Sequence, residues 1–225
     1  MWPFQTKQLS AYLSNQGLLA WATPQEKGQA KLLELSAIEL EELIHSIDTH
    51  SQLPASFKRH NTTLRLAPSL GRCYALQAVK NKLDASELKG LAEHWGKAFM
   101  GPKYTAWKWQ AVQARPGHPI LLCACQVDAK NQNLFRSVKP ELLNLVDSMN
   151  ANGSAWVVCR DEALVQSALV LDGTIVSIRT WPSHYTSQVK EVIEKHMLLT
   201  DDTWGSNIHH VVESHFGEVQ THGEV

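Results

Sequence analysis

The sequence predicts a mixed α/β fold in which one unit, three antiparallel strands followed by a helix, occurs twice. The first observation is the segment from Ala155 to Leu199, where three β-rich runs precede a stretch with helical periodicity. The second observation is the same order of elements between Gln8 and Ile47. The two segments share this order without an obvious repeat in the amino-acid sequence, so the pattern indicates a duplicated architecture.

The segment near the C-terminus is the more informative of the two. Its predicted strands are Ala155–Cys159, Leu164–Leu171 and Thr174–Trp181. Asp172-Gly173 separates the second run from the third, and this pair favours a type I′ hairpin turn, which needs positive φ at both residues. Strict alternation along the third strand predicts two faces with three residues each. These are Ile175, Ser177 and Arg179 on one face and Val176, Ile178 and Thr180 on the other.

Four helices are predicted from apolar residues at helical spacing. They begin after Ser36, after Asp84, near Val138 and near Gln188. Ser36 and Asp84 are each followed three residues later by a glutamate, which is the spacing of a capping box. Pro140 is expected in the first turn of the third helix, where a missing N–H costs least. In the fourth helix, which is predicted to end at Leu199, His196 is expected to face inward.

The remaining strands are predicted from shorter patterns. They cover 8–14, 18–23, 30–35, 62–67, 106–113, 120–127 and 207–212, and residues 217–225 are expected to form a frayed tail. The apolar stretch Cys73–Val79 does not reveal its type. The boundary between lobes is placed at Asn150–Gly153, which divides the chain into a first lobe, 1–150, and a second, shorter lobe, 151–225.

Composition limits the classes of function. With 225 residues, 44% hydrophobic and 19% charged, the chain is typical of soluble globular proteins. The net charge of −1 gives no overall field that favours nucleic acid or an anionic membrane. No apolar run approaches the ~20 residues that span a bilayer, so no membrane insertion is expected of this chain. The cysteines match no zinc spacing and indicate a reducing, cytosolic environment; they are Cys73, Cys123, Cys125 and Cys159.

The sequence contains none of the common catalytic motifs. It has no P-loop, no dinucleotide fingerprint, no His-Glu-x-x-His and no Gly-x-Ser-x-Gly. His209 and His210 are adjacent, so on a strand they would point to opposite faces and could not share a metal. A ribonuclease-H-type nuclease needs several carboxylates converging on two metal ions, and the predicted strands do not supply them. Catalytic residues and metal ligands are therefore not predicted.

The duplicated unit is the opening of a ribonuclease-H-like subdomain, and two such subdomains in tandem resemble the actin-like (ASKHA) fold. The segments that carry the resemblance are Gln8–Ile47 and Ser154–Leu199. Within that fold the chain resembles the actin-like assembly proteins of type IV pili (PilM) and the cytoplasmic domain of the type II secretion protein GspL. The resemblance implies an actin-like ATPase-type architecture, here truncated and degenerate.

The resemblance also singles out two turns. In nucleotide-binding members of the fold, the turn after the first strand of each lobe is a glycine-containing phosphate loop, usually with an Asp, because backbone N–H groups must approach the phosphate closely. The matching turns here are 14–17 and 159–163. The first keeps one glycine and no acid. The second keeps Asp161 without a glycine, and Glu162 adds charge that repels phosphate. Asp161 is the candidate cofactor-binding residue, but no bound cofactor is expected.

The function implied by the resemblance is that of a non-catalytic scaffold or adaptor in a type IV pilus or type II secretion assembly platform. Its expected partners are the cytosolic tail of an inner-membrane assembly protein and a nearby assembly ATPase, and not nucleic acid. The protein would be cytoplasmic and held at the inner membrane through its partner. A homodimer is left open. The alternative is a nucleotide-binding ATPase of the same fold, with Asp161 in its phosphate turn.

Overall fold

A computed structural model describes residues 9–15, 17–21, 31–34, 62–126, 135–149, 153–185, 188–200, 208–215 and 218–222. In these ranges the chain forms thirteen strands and three α-helices. The strands are β1 Leu9–Ser14, β2 Gly17–Trp21, β3 Lys31–Glu34, β4 Thr62–Leu66, β5 Gly71–Leu76, β6 Lys108–Gln113, β7 Ile120–Cys125, β8 Ser137–Pro140, β9 Ala155–Arg160, β10 Leu164–Leu171, β11 Thr174–Pro182, β12 Val211–His215 and β13 Glu218–His222. The helices are α1 Ala85–Met100, α2 Glu141–Ser148 and α3 Val189–Thr200.

Two five-stranded sheets share one strand order. The first has the order β3-β2-β1-β4-β8 and the second β11-β10-β9-β12-β13. In each, three consecutive strands form an antiparallel meander, and the first of them pairs in parallel with a fourth strand, β4 or β12. This is the order of a ribonuclease-H-like subdomain. The predicted fold class, a mixed α/β protein with two such subdomains, is confirmed.

A third sheet lies between β4 and β8 in the chain and was not predicted as a unit. Its order is β5-β7-β6, all antiparallel, and α1 packs against β6. The predicted capping box of α1 is present: Asp84 accepts the N–H groups of Ser86 and Glu87, and the Glu87 carboxylate accepts the N–H of Asp84. Gly101 ends the helix with φ of 56°, a value that favours glycine.

The helix predicted from Val138 was wrong at its start. Residues Ser137–Pro140 form β8, which pairs in parallel with β4, and α2 begins only at Glu141. Pro140 is therefore not in the first turn of the helix. A proline fits here because β8 is the last strand in its sheet order, where a missing N–H removes no ladder bond. Pairing with β4, where Thr63 and Ser137 are 74 positions apart, is a tertiary effect that local pattern did not reveal.

Two predictions at the C-terminus were also wrong. The last strand was placed at 207–212, whereas β12 is Val211–His215, displaced towards the C-terminus. The expected frayed tail contains β13, which pairs antiparallel with β12. A short polar segment of this kind gives little signal by itself, because its stability comes from the strand beside it.

A β-bulge changes the faces of β11. The pairing register shifts from Leu169↔Ser177 to Val170↔Ile175, so one residue of β11 has no partner. Ile175 and Ile178 consequently lie in the same core cluster, whereas strict alternation put them on opposite faces. The face assignment was therefore wrong, although the hairpin itself was predicted correctly: Asp172 and Gly173 have φ of 49° and 71°.

One core cluster uses residues from both sides of the predicted lobe boundary. Cys73, Leu142 and Leu145 pack with the buried side chains of the second sheet. The boundary after residue 150 stays a prediction. The predicted helix after Ser36 lies outside the described residues. Within the part of the chain that is described, no helix is long and apolar enough to cross a bilayer.

Candidate functional site

Asp161 directly follows β9, in the turn that leads to β10. Its Oδ1 accepts the backbone N–H groups of Ala163 and Leu164, both at 2.8 Å. An aspartate that accepts N–H groups two and three residues ahead closes an Asx turn, which is why this residue type suits the position. Its Oδ2 accepts the N–H of Ser69, in the first half of the chain, at 2.7 Å. The residue is buried, and three backbone N–H groups satisfy its carboxylate.

Ser69 lies in a tight turn between β4 and β5. The N–H groups of Leu70 and Gly71 both donate to the carbonyl of Ala67 at 2.8 Å. The side chain of Asn15, at the end of β1, donates to the Ser69 hydroxyl at 3.2 Å. Ser69 thus contacts both turns that the resemblance singled out, one through its hydroxyl and one through its N–H. We call this region, made of Asn15, Ser69 and Asp161, the turn junction.

Close packing holds the Ser69 turn in place. A Cβ on Gly71 would lie 2.7 Å from the Leu66 Cβ and 3.0 Å from the Pro140 Cα. Such distances are too short for any side chain, so glycine lets the start of β5 approach β4 and the end of β8. Sequence reasoning missed Ser69, because its partner is 92 residues away and Pro68-Ser69 reads only as a turn signal.

A buried ion pair joins the first sheet to α2. Arg65, on β4, donates to Glu141, the first residue of α2, with 3.1 Å between Nη1 and Oε1. The hydroxyl of Ser214, on β12, donates to the same carboxylate oxygen at 2.8 Å. All three residues are buried. Glu141 also lies at a helix N-terminus, where negative charge is favoured.

Tyr12 connects the ion pair electrostatically with Asp161. The Arg65 guanidinium lies 5.8 Å from the Tyr12 ring centroid. Burial, together with the negative charges of Glu141 and Asp161, raises the pKa of Tyr12 far above its ordinary value. The phenol therefore stays neutral at any physiological pH.

The turn junction is an intramolecular contact between distant segments of the chain. Backbone N–H groups in such turns are the donors that a bound phosphate would need. Here the N–H groups of Ala163 and Leu164, beside the second matching turn, donate to Asp161 instead, and the Arg65 cation is paired with Glu141. Across the described ranges, no group of three or more His, Cys, Asp or Glu residues is arranged to hold a metal ion. The assignment of Asp161 to a phosphate-binding turn stays a prediction.

A second feature is a groove between the three-stranded sheet and the β8–α2 connection. Its volume is about 370 Å³. The lining includes apolar side chains from four elements and two lysines: Val112, Leu121, Val138, Leu143, Lys108 and Lys139. Lys139 is paired with Asp147 at 2.6 Å on the exposed side. Cys123 and Cys125, both on β7, also line the groove. We call this feature the β7 groove.

Comparisons with known proteins give matches in structure alone, since no protein-family model and no curated protein matches the chain. A Bacteroides thetaiotaomicron protein with an actin-like ATPase fold and unknown function is 13% identical, with a TM-score of 0.49, 89% of this chain covered and 79% of that one. The resemblance is one of fold.

Two other solved structures are assembly proteins of the classes that the sequence resembles. The PilM–PilN type IV pilus biogenesis complex is 12% identical, with a TM-score of 0.44, and the match covers 86% of this chain and 62% of that one. The cytoplasmic domain of EpsL, an inner-membrane component of the type II secretion system of Vibrio cholerae, is 12% identical with a TM-score of 0.41, covering 87% of this chain and 75% of that one.

Proposed function

We propose that the protein is a non-catalytic scaffold or adaptor of a type IV pilus or type II secretion assembly platform. In this role it binds an inner-membrane partner and is held in the cytoplasm, beside the membrane, through that partner. The observation that supports the proposal is the bond between Asp161 and Ser69, because it engages the carboxylate of the turn 159–163, to which we assign the position of a phosphate loop.

The existing hydrogen bonds of Asp161 oppose the binding of a phosphate. Hydrogen bonds to a charged group each contribute about 1.5 to 3 kcal/mol, and Asp161 accepts three of them from backbone donors. A phosphate in the same place would have to displace the carboxylate and would be repelled by its charge. Nucleotide binding would therefore begin with the loss of several kcal/mol of existing interactions. An adaptor has no such requirement.

The β7 groove supplies a surface for the partner. Apolar side chains from four elements line it, beside Lys108 and the ion pair of Lys139 with Asp147, which suits an extended segment with apolar side chains. By their descriptions, PilM–PilN is a type IV pilus biogenesis complex and EpsL is an inner-membrane component of a type II secretion system. A cytosolic tail of an inner-membrane assembly protein has the chemistry that this groove would accept.

Site-specific photo-crosslinking in cells tests the proposal. A photoreactive amino acid replaces Val112, which is 42% exposed and lines the groove, or Leu198, which is 83% exposed at the end of α3. We expect position 112, and not position 198, to crosslink to the cytosolic tail of an inner-membrane protein of a pilus or secretion platform. Equal crosslinking from both positions, or none to a membrane protein from position 112, would reject the adaptor role.

The alternative, a nucleotide-binding ATPase, requires Asp161 to leave Ser69 and turn towards a ligand. An association with an assembly ATPase and a homodimer also stay predictions. Each has a separate readout, namely copurification of the ATPase and the mass of the purified protein in solution.

A further inference from the structure

Two cysteines lie directly opposite each other under the β7 groove. Cys73 on β5 pairs with Cys123 on β7 in the antiparallel register. Directly opposed residues in antiparallel strands have Cα atoms about 4.5 to 5.5 Å apart, which is within the range that a disulfide spans. Both thiols are free in the structure.

The two thiols differ in their access to solvent. Cys73 is fully buried in a core cluster, whereas Cys123 is half-buried and lines the groove. Burial raises the pKa of Cys73 well above its ordinary value, while the neighbouring Cys73 thiol lowers the pKa of Cys123. Cys123 is thus the accessible thiol and the better source of thiolate, which is the reactive form.

The neighbouring cysteines do not share these properties. Cys125 also lines the groove, but burial raises its pKa to about 12. Cys159 is buried, and burial raises its pKa as well. Neither is the register partner of another cysteine among the described strand pairs. The arrangement of one accessible and one buried thiol is specific to Cys73 and Cys123.

We propose that Cys123 is a site of reversible thiol modification and that Cys73 is its resolving thiol. The reagent is a small-molecule disulfide such as glutathione disulfide. The Cys123 thiolate attacks one sulfur of that disulfide, the S–S bond breaks, and a glutathione thiolate leaves. Cys73 then loses its proton to solvent and attacks the Cys123 sulfur, releasing the second glutathione thiolate and forming the Cys73–Cys123 disulfide. Two protein thiols are oxidised and one glutathione disulfide is reduced.

The consequence for the groove rests on the proposed function. In the mixed-disulfide intermediate, a glutathionyl group is attached to a side chain that lines a cavity of about 370 Å³. The glutathionyl tripeptide would occupy the space that we assign to the partner tail. Attack by Cys73 would clear it, so oxidation would first block the groove and then restore it.

Mass spectrometry of the intact folded protein tests the chemistry. After incubation with glutathione disulfide, we expect the wild-type protein to lose two hydrogen atoms in mass, with Cys73 and Cys123 linked in the peptide map. Cys73→Ser should instead keep one glutathionyl group on Cys123, and Cys123→Ser should remain unmodified. Cys125→Ser and Cys159→Ser are matched controls that should behave like the wild type.

Two results would overturn the inference: an unmodified wild-type protein, or a stable glutathionyl group on Cys123 that Cys73 does not remove. Crosslinking from position 112 separates this inference from the proposed function. Loss of the crosslink only in the glutathionylated Cys73→Ser protein supports both, whereas a reduced protein that never crosslinks contradicts the adaptor role and leaves the thiol chemistry intact.

Discussion

The Asp161 carboxylate accepts the backbone N–H of Ser69 at 2.7 Å, although the two residues are 92 positions apart in the chain. The same carboxylate closes its own turn through Ala163 and Leu164. One side chain therefore fixes a local conformation and a contact between the two halves. Asp161 therefore stabilises both its own turn and the contact with Ser69, and its removal should lower the free energy of unfolding.

Substitution of Asp161 measures that role. Asp161→Ala leaves the buried N–H of Ser69 and the partly buried N–H groups of Ala163 and Leu164 without their acceptor. An unsatisfied buried group costs about 1 to 3 kcal/mol and groups that water can reach cost less, so we expect the free energy of unfolding to fall by about 2 to 4 kcal/mol. Asp161→Asn keeps one acceptor oxygen and should cost less. Urea unfolding monitored by tryptophan fluorescence gives both values. Glu194→Ala, at an exposed position of α3, serves as the control. An Asp161→Ala protein as stable as this control would show that Asp161 does not stabilise the fold.

The ion pair between Arg65 and Glu141 should be strongly coupled. Each single substitution, Arg65→Met or Glu141→Met, leaves a buried charge without its counter-ion, and we expect a loss of about 3 to 5 kcal/mol. The double variant removes both charges, so its loss should be clearly smaller than the sum of the two. A double-mutant cycle of denaturant unfolding gives the coupling. Additive losses would show that the two side chains do not stabilise each other.

His196 predicts a stability that depends on pH. The buried ring lies between two hydroxyls, with Ser167 Oγ 2.6 Å from Nδ1 and Ser177 Oγ 2.5 Å from Nε2. Burial, and then the positive charge of Arg179, lowers the pKa of His196 from 6.5 to about 3. The folded state therefore holds a neutral ring where the unfolded state binds a proton. Its contribution is complete above pH 6.5 and is lost as the pH falls towards 3.

The measurement compares unfolding at pH 6.5 and pH 4.5. Since one pKa unit corresponds to about 1.4 kcal/mol, the wild type should lose about 2 kcal/mol over this interval through His196. His196→Gln has no titrating ring and should show a smaller loss, even though it is less stable overall. Identical pH slopes for the two proteins would mean that His196 titrates normally in the folded state.

Two glycines of α1 give opposite predictions for the same substitution. A Cβ on Gly96 would lie 2.9 Å from the Trp109 ring, whereas a Cβ on Gly90 would meet nothing within 4 Å. Gly90→Ala should raise the free energy of unfolding by about 0.5 to 1 kcal/mol through helix propensity. Gly96→Ala gains the same propensity but must displace the indole, so we expect net destabilisation. A stabilised Gly96→Ala protein would show that Trp109 moves freely.

The sequence was informative wherever a signal was local. The turn Asp172-Gly173, the capping box at Asp84 and the burial of His196 each depend on residues within one element or hairpin, and all three were predicted correctly. The errors came from tertiary pairing. Strand β8 exists because β4 lies beside it, and the bulge in β11 moves Ile175 to the face of Ile178.

The site shows the same division between local and distant effects. Asp161 could be selected because it follows a predicted strand and matches a turn in a known fold. Its partner Ser69 could not, since the donor is the backbone N–H of Ser69, which places no requirement on the side chain at that position. The β7 groove was likewise invisible, because β6, β7 and β8 meet only in the folded protein.

The binding of Mg-ATP tests the central claim most directly. Isothermal calorimetry of the wild-type protein should show no saturable heat, because in the proposed phosphate turn Asp161 itself accepts the N–H groups of Ala163 and Leu164. Asp161→Ala serves as the control for a site that is merely masked. Saturable binding of Mg-ATP to the wild type at micromolar concentration, abolished in Asp161→Ala while the variant stays folded, would contradict the account and establish the nucleotide-binding alternative.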